Sequence, residues 1–141
     1  MSHAIRALYR FWAALLLLAV VVQVGLAGYG AFAGDHKAND HGTVTHEQFD
    51  HGFNAHIALG YLIFLGSIVL LLLALLGRLR KPLVLQSLGV VLLVLLAIVL
   101  AVVGGDHPIV GFLHPIDAFA VVGLVGRVAH GQWAGRVVRE R

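Results

Sequence analysis

Four apolar segments, each about as long as a bilayer core is thick, occupy most of this chain and leave it little choice of fold. Near Phe11–Ala33, Phe53–Leu76, Leu83–Val103 and Ile109–His130, hydrophobic residues run for about the 20 helical positions that a span requires. Lipid offers no partner to backbone N–H and C=O groups, so each segment must close its own backbone bonds as an α-helix. Only 12% of the 141 residues are charged, against roughly 25% in an ordinary soluble domain. The expectation is a single all-α domain over residues 1–141, an integral membrane antiparallel four-helix bundle.

The connections support this order. Gly77-Arg78-Leu79-Arg80-Lys81-Pro82 places a helix-ending glycine before a proline suited to a first helical turn, and Gly104-Gly105-Asp106-His107-Pro108 repeats the device. Short connections force neighbouring helices antiparallel. The first connection, Gly34 to about His51, is the only long polar stretch. Thr45-x-x-Gln48 reads as a capping box, so the second helix starts ahead of the lipid. Ala31-Phe32-Ala33 looks like a signal-peptidase site, but the preceding apolar run exceeds the usual 7–15 residues of a signal peptide core, and the first span reads as retained.

Charge sets the expected orientation. Arg6, Arg10, Arg78, Arg80, Lys81, Arg127, Arg136, Arg139 and Arg141 fall on one side of the spans, and only Lys37 falls on the other. By the positive-inside rule both termini and the second connection are cytoplasmic, in a multi-pass protein of a bacterial plasma membrane. The formal charge of +3 thus reports topology and not a nucleic-acid partner.

Two ionisable residues sit inside the spans at matching depth. His56 lies about one turn into the second span and His114 about two turns into the fourth, both counted from the outer side. Intramembrane ionisable residues are costly and are kept where they have a partner or a role. Gly52 and Gly60 flank His56 by one turn on either side, and Gly111 and Ala118 flank His114, so both helix faces read as cleared for something flat. Pro115 cannot donate to the Gly111 carbonyl, which leaves that oxygen free to hold the His114 ring. Two such imidazoles could clamp one haem iron between them. The bland alternative is a pair of wetted interfacial histidines without a ligand.

Other chemistry is narrower. Cysteine is absent, so thiolate sites and covalent haem attachment are excluded, and the single methionine, at the first position, argues against a methionine ligand. His36, His41, His46 and His51, with Asp35, Asp40, Glu47 and Asp50, could bind zinc or copper in the outer connection, with His46 and Asp50 the best-spaced pair. Gln23, in the middle of the first span, reads as a helix–helix hydrogen-bonding residue. Trp12 and Trp133 read as interfacial belt residues.

Ala55-His56-Ile57-Ala58-Leu59-Gly60, Leu85-Gln86-Ser87-Leu88-Gly89 and Leu113-His114-Pro115-Ile116-Asp117-Ala118 resemble one four-helix half of haem A synthase. The likeness runs from Ala55 to about Ala120. The chain also resembles a group of small four-span bacterial membrane proteins with a Leu-His-x-x-Asn-Ala motif, in which Asp117 takes the place of Asn. In haem A synthase a histidine of the second helix and one of the fourth ligate haem, which the resemblance carries onto His56 and His114. That family has two such halves, which implies that this unit could pair as a homodimer. It also carries a carboxylate one turn before the first histidine, where this chain has Gly52 and Phe53 with Asp50 further off.

The expected function is that of a small membrane b-type cytochrome with one bis-histidine haem b near the outer face. It would pass electrons to or from quinone or an outside partner. The alternatives are a non-enzymatic accessory or scaffold subunit of a larger membrane complex and, behind it, a carrier of haem or metal ions.

Overall fold

The computed structural model describes residues 3–137, apart from the side chains of His41, His46 and residues 131–137. Trp133 and the His46–Asp50 pair therefore lie outside what is described. The chain forms four helices, α1 (His3–His41), α2 (His46–Leu76), α3 (Lys81–Gly104) and α4 (Pro108–Val137), each long and apolar enough to cross a membrane. Consecutive helices touch and α1 closes the ring against α4, whereas α1–α3 and α2–α4 lie opposite one another. The turns at 42–45 and 105–107 share one end of the bundle, here the hairpin end. The other, terminal end carries the turn at 77–80 and the outermost parts of α1 and α4.

The long outer connection expected between Gly34 and His51 is almost entirely helical. Polar residues beyond the lipid can remain in a helix when they pair along its surface, and no proline interrupts this stretch. The His36 imidazole lies 3.4 Å from the Asp40 carboxylate, and the Asn39 amide donates to Asp35 at 3.3 Å, both pairs one turn apart. At about 1.5 Å per residue, the 39 residues of α1 far outrun a bilayer core of about 30 Å. The start of α2 follows the sequence reading: the Thr45 hydroxyl accepts from the Gln48 N–H at 3.2 Å, and the Gln48 side chain accepts from the Thr45 N–H at 3.1 Å.

Gly77 caps α2 in an ordinary right-handed conformation, and the left-handed residue of that turn is Arg78, at φ 44°. Glycine is needed at 77 for room instead: a Cβ there would meet the Leu73 carbonyl oxygen at 2.8 Å and Ile5 at 3.0 Å.

Glycines close each hairpin on itself. A Cβ on Gly52 would stand 3.2 Å from the Gly30 carbonyl oxygen, joining α1 to α2, and one on Gly104 would stand 2.5 Å from the Gly111 Cα, joining α3 to α4. Phe53 lies over Gly30 and Phe49 over Gly34, with the two rings 5.0 Å apart.

The terminal half is filled. Tyr9, Ala13, Leu16, Leu70, Ala74, Val90, Val125 and Val128 are buried there, and the Tyr9 hydroxyl meets the Ser87 hydroxyl across the ring at 2.9 Å. Since Ser87 donates to the Leu83 carbonyl, Tyr9 is the donor in that contact. Trp12 is not a plain belt residue: its indole N–H turns inward and donates to the Gly66 carbonyl at 2.8 Å. Among the described residues, the buried hydrophobic side chains nearest the hairpin end are Val20, Ile63, Val94 and Val121, one from each helix. Beyond that layer the bundle is open.

The glycine contacts make a contrast that unfolding in detergent can measure. Gly104→Ala forces α3 from α4 and is expected to destabilise the fold by about 1–3 kcal/mol. Gly123→Ala, whose new Cβ meets nothing within 4 Å, is expected to be neutral or stabilising by up to about 1 kcal/mol through helix propensity.

Candidate cofactor site

His56 on α2 and His114 on α4 stand at opposite corners of the ring and face one another across it. Their ring centres are 6.2 Å apart and their planes cross at 74°. Each ring is held from behind by the other helix of its own hairpin. His56 Nδ1 lies 3.1 Å from the Gln23 carbonyl of α1, and His114 Nδ1 lies 2.8 Å from the Ala97 carbonyl of α3. A carbonyl can only accept, so each Nδ1 carries a proton, and in the neutral ring Nε2 keeps its lone pair. Such a bond fixes both tautomer and orientation, as at metal-ligating histidines generally.

Gln23 completes a reciprocal pair. Its side-chain amide donates to the His56 carbonyl at 2.8 Å while its own carbonyl receives the His56 ring. The helix–helix role read from the sequence is therefore visible, although its consequence for His56 was not legible there. Gly60 makes room for it, since a Cβ would stand 3.1 Å from the Gln23 nitrogen. The Gln23 Oε1 is buried without a hydrogen-bond partner among the described residues.

The two rings adjoin a cavity of about 670 Å³ that reaches down to the Val20–Ile63–Val94–Val121 layer. Small residues create the space: Ala27, Gly60, Ala97, Ala101 and Ala118 all line it. Its polar groups are His56, His114 and Gln23, with the Tyr61 phenol at one side.

The residues singled out around the histidines divide between two tasks. Gly60 and Ala118 line the cavity, whereas Gly52 and Gly111 are taken up by the helix contacts with Gly30 and Gly104. The carbonyl that holds His114 belongs to Ala97 and not to Gly111. The reason is direction: the imidazole leaves α4 sideways and reaches the neighbouring helix, not its own preceding turn. Pro115 lines the cavity within a helix that continues past it.

Asp117 does not line the cavity. It shares a helix face with Leu124, seven residues on, which rests on Gly89 of α3. Asp117 is 8% exposed, and its Oδ2 is buried without a hydrogen-bond partner among the described residues, so it does not reach water at a helix entrance. No cluster of three or more histidine or carboxylate side chains that could hold a metal occurs among the described residues, which leave out the side chains of His41 and His46 in the first connection. His51, His107 and His130 are exposed and separate from the His56–His114 pair.

No family model matches the chain, and no curated protein or solved structure matches it. The likeness to haem A synthase thus rests on short motifs, and the fold and the geometry above carry the functional reading.

Gln23→Leu removes the amide that links α1 to the His56 carbonyl. Polar links of this kind within membranes contribute about 0.6 kcal/mol on average and up to roughly 1.7. A loss in that range is expected from unfolding of the variant in detergent.

Proposed function

We propose that this chain is a small membrane b-type cytochrome that carries one haem b between His56 and His114 and transfers electrons. The observation that carries this reading is the facing pair of imidazoles, each fixed at Nδ1 and presenting a free Nε2. The ring centres stand 6.2 Å apart, close enough for one metal ion to be held by both imidazoles. The adjoining cavity of about 670 Å³ falls within the roughly 300–1,000 Å³ of ligand and cofactor sites. Neutral nitrogen donors in apolar surroundings suit a haem iron, and the residues present fit the group.

Haem supplies one-electron redox chemistry when bound. The protein's part is positional. Carbonyls of α1 and α3 hold the rings, and His56 and His114 would hold the haem iron within an apolar lining. A haem held by two histidines would favour electron transfer over oxygen chemistry.

The same reading places the histidine pair toward the outer face, with both termini in the cytoplasm of a bacterial cell. The basic residues Arg78, Arg80 and Lys81 at the terminal end and the acids Asp35, Asp40, Glu47 and Asp50 at the hairpin end support it. At that depth the site could exchange electrons with quinone in the bilayer or with a donor outside it.

Haemin added to the purified protein is expected to give a Soret band and, on reduction, the sharp visible bands of a six-coordinate b-type haem. His56→Ala and His114→Ala should each abolish that six-coordinate spectrum. Wild-type protein that gives no such spectrum, or variants that keep it, would overturn the cytochrome and leave the accessory-subunit alternative. Because the chain has no cysteine, orientation can be read separately with single engineered thiols in sealed cells. Asn39→Cys should react with a membrane-impermeant maleimide added outside, and Arg80→Cys only after permeabilisation.

A further inference from the structure

The two hairpins place their histidines in equivalent positions. Gln23 lies three residues past Val20 of the buried layer and Ala97 three past Val94, while His56 lies seven before Ile63 and His114 seven before Val121. The carbonyls that receive the rings therefore stand at matching corners, one on α1 and one on α3. The equivalence breaks at one side chain. Position 23 carries an amide that donates to the His56 carbonyl at 2.8 Å, whereas position 97 carries only a methyl group. The neighbouring helix changes with it. Gly60, four residues after His56, leaves room for the amide, and its counterpart Ala118 has no amide to receive.

The hairpins fix their registers by different means. In the second, the backbones of α3 and α4 meet three residues before His114, where a Cβ on Gly104 would stand 2.5 Å from the Gly111 Cα. The equivalent glycine of the first hairpin, Gly30, has the Phe53 ring in that place, 2.8 Å from where its Cβ would be. A side chain and not a backbone sets that approach. Gln23 supplies the missing tie, since it binds the main chain of residue 56 to the very residue whose carbonyl receives the ring. Phe53 also braces the His56 ring, its centre 6.1 Å away and its plane crossed at 88°. Gln23 is kept at a cost: its Oε1 is buried without a partner among the described residues, where leucine would sit in lipid more cheaply.

We infer that Gln23 is a positioning residue for the histidine pair. By pinning α1 to the main chain of His56 it keeps that ring on the Gln23 carbonyl, with a proton on Nδ1 and its plane crossed to that of His114 at 74°. On the cytochrome reading, on which this step rests, the haem iron would be held by crossed imidazoles and not by parallel ones.

Solid-state nitrogen NMR of the histidine-labelled full chain in phosphatidylcholine vesicles tests this before any haemin is added, with His56→Ala and His114→Ala assigning the signals. At about pH 8.5, roughly two units above the ordinary imidazole value, the rings are neutral. The wild type should show both rings protonated at Nδ1, as their carbonyl bonds demand. Gln23→Leu should lower the ratio of Nδ1–H to Nε2–H in His56 by about three- to tenfold and leave His114 as it was. Gly60→Ala, which crowds the same amide without removing a polar group, should move His56 the same way by a smaller factor. Trp12→Phe, which removes the indole bond from α1 to α2, should leave both rings unchanged. If Gln23 were only a tie between helices, Trp12→Phe and Gln23→Leu would act alike. That result overturns the proposal, as does a wild-type His56 protonated at Nε2 or a Gln23→Leu variant that matches the wild type.

Haemin is then added to the same samples and the ferric protein is read by electron paramagnetic resonance. Axial ligands set the electronic state of the iron. Crossed imidazole planes give one strongly displaced low-field line, where parallel planes give a three-line rhombic signal. The wild type should give the first, and Gln23→Leu should shift toward the second. Protein with the expected tautomers that binds no haemin keeps the positioning role and loses the cytochrome. Wild-type protein that binds haemin with a rhombic signal keeps the cytochrome and overturns the crossed pair.

Discussion

A polar group inside a membrane must find its partner within the protein, and this bundle is organised by that requirement. Each polar side chain in the spans that makes a hydrogen bond to another helix acts as a strut. Gln23 and His56 tie α1 to α2, and so does Trp12 through the Gly66 carbonyl. His114 ties α4 to α3, and the Tyr9–Ser87 contact crosses from α1 to α3 in the filled half. In water such bonds compete with solvent and contribute little. In lipid the alternative is an unpaired group, so their geometry is enforced even where their net contribution is modest.

The struts that fix the histidines lie within the hairpins and not between them. α1 and α2 hold His56, α3 and α4 hold His114, and close glycine contacts seal each pair near its turn. The molecule therefore behaves at its hairpin end as two halves, each presenting one oriented imidazole. They are joined below by the Tyr9–Ser87 contact and the apolar core. The distance between the rings is set by how the halves lean together, while the direction of each ring is set inside its own half. A site of this design could adjust its width to an occupant without disturbing the orientation of its ligating atoms.

Much of this was legible in the sequence because the lipid constraint writes itself in composition and in punctuation. The four helices follow from the apolar runs, the start of α2 from the capping box, and the turns from Gly77, Pro82, Gly104 and Pro108. The matched depth of His56 and His114 follows from counting residues at a fixed rise. Backbone carbonyls were not legible, since Ala97 carries no side-chain signal that it will hold His114. Nor could the glycines be sorted: Gly52, Gly60, Gly111 and Gly123 look alike in the chain, yet two carry helix contacts, one makes room beside Gln23, and one meets nothing. The extension of α1 to His41 was missed because a polar stretch with scattered histidines resembles a loop. Only the one-turn pairing of His36 with Asp40 and Asn39 with Asp35 shows otherwise.

The cavity is held open by its choice of residues and not by a failure to pack, since the filled half beneath it shows that this chain can close a core. The small residues that hold the upper half open, Ala27, Gly60, Ala97, Ala101 and Ala118, converge from all four helices. Substituting larger apolar residues there would close the space at no cost to membrane compatibility. The space is open at the outer surface of the bundle, where acyl chains can enter it. Acyl chains would satisfy its walls, but they give no reason for two imidazoles, oriented by carbonyls and free at Nε2, to stand at its edge. The haem of the proposed cytochrome would meet both demands.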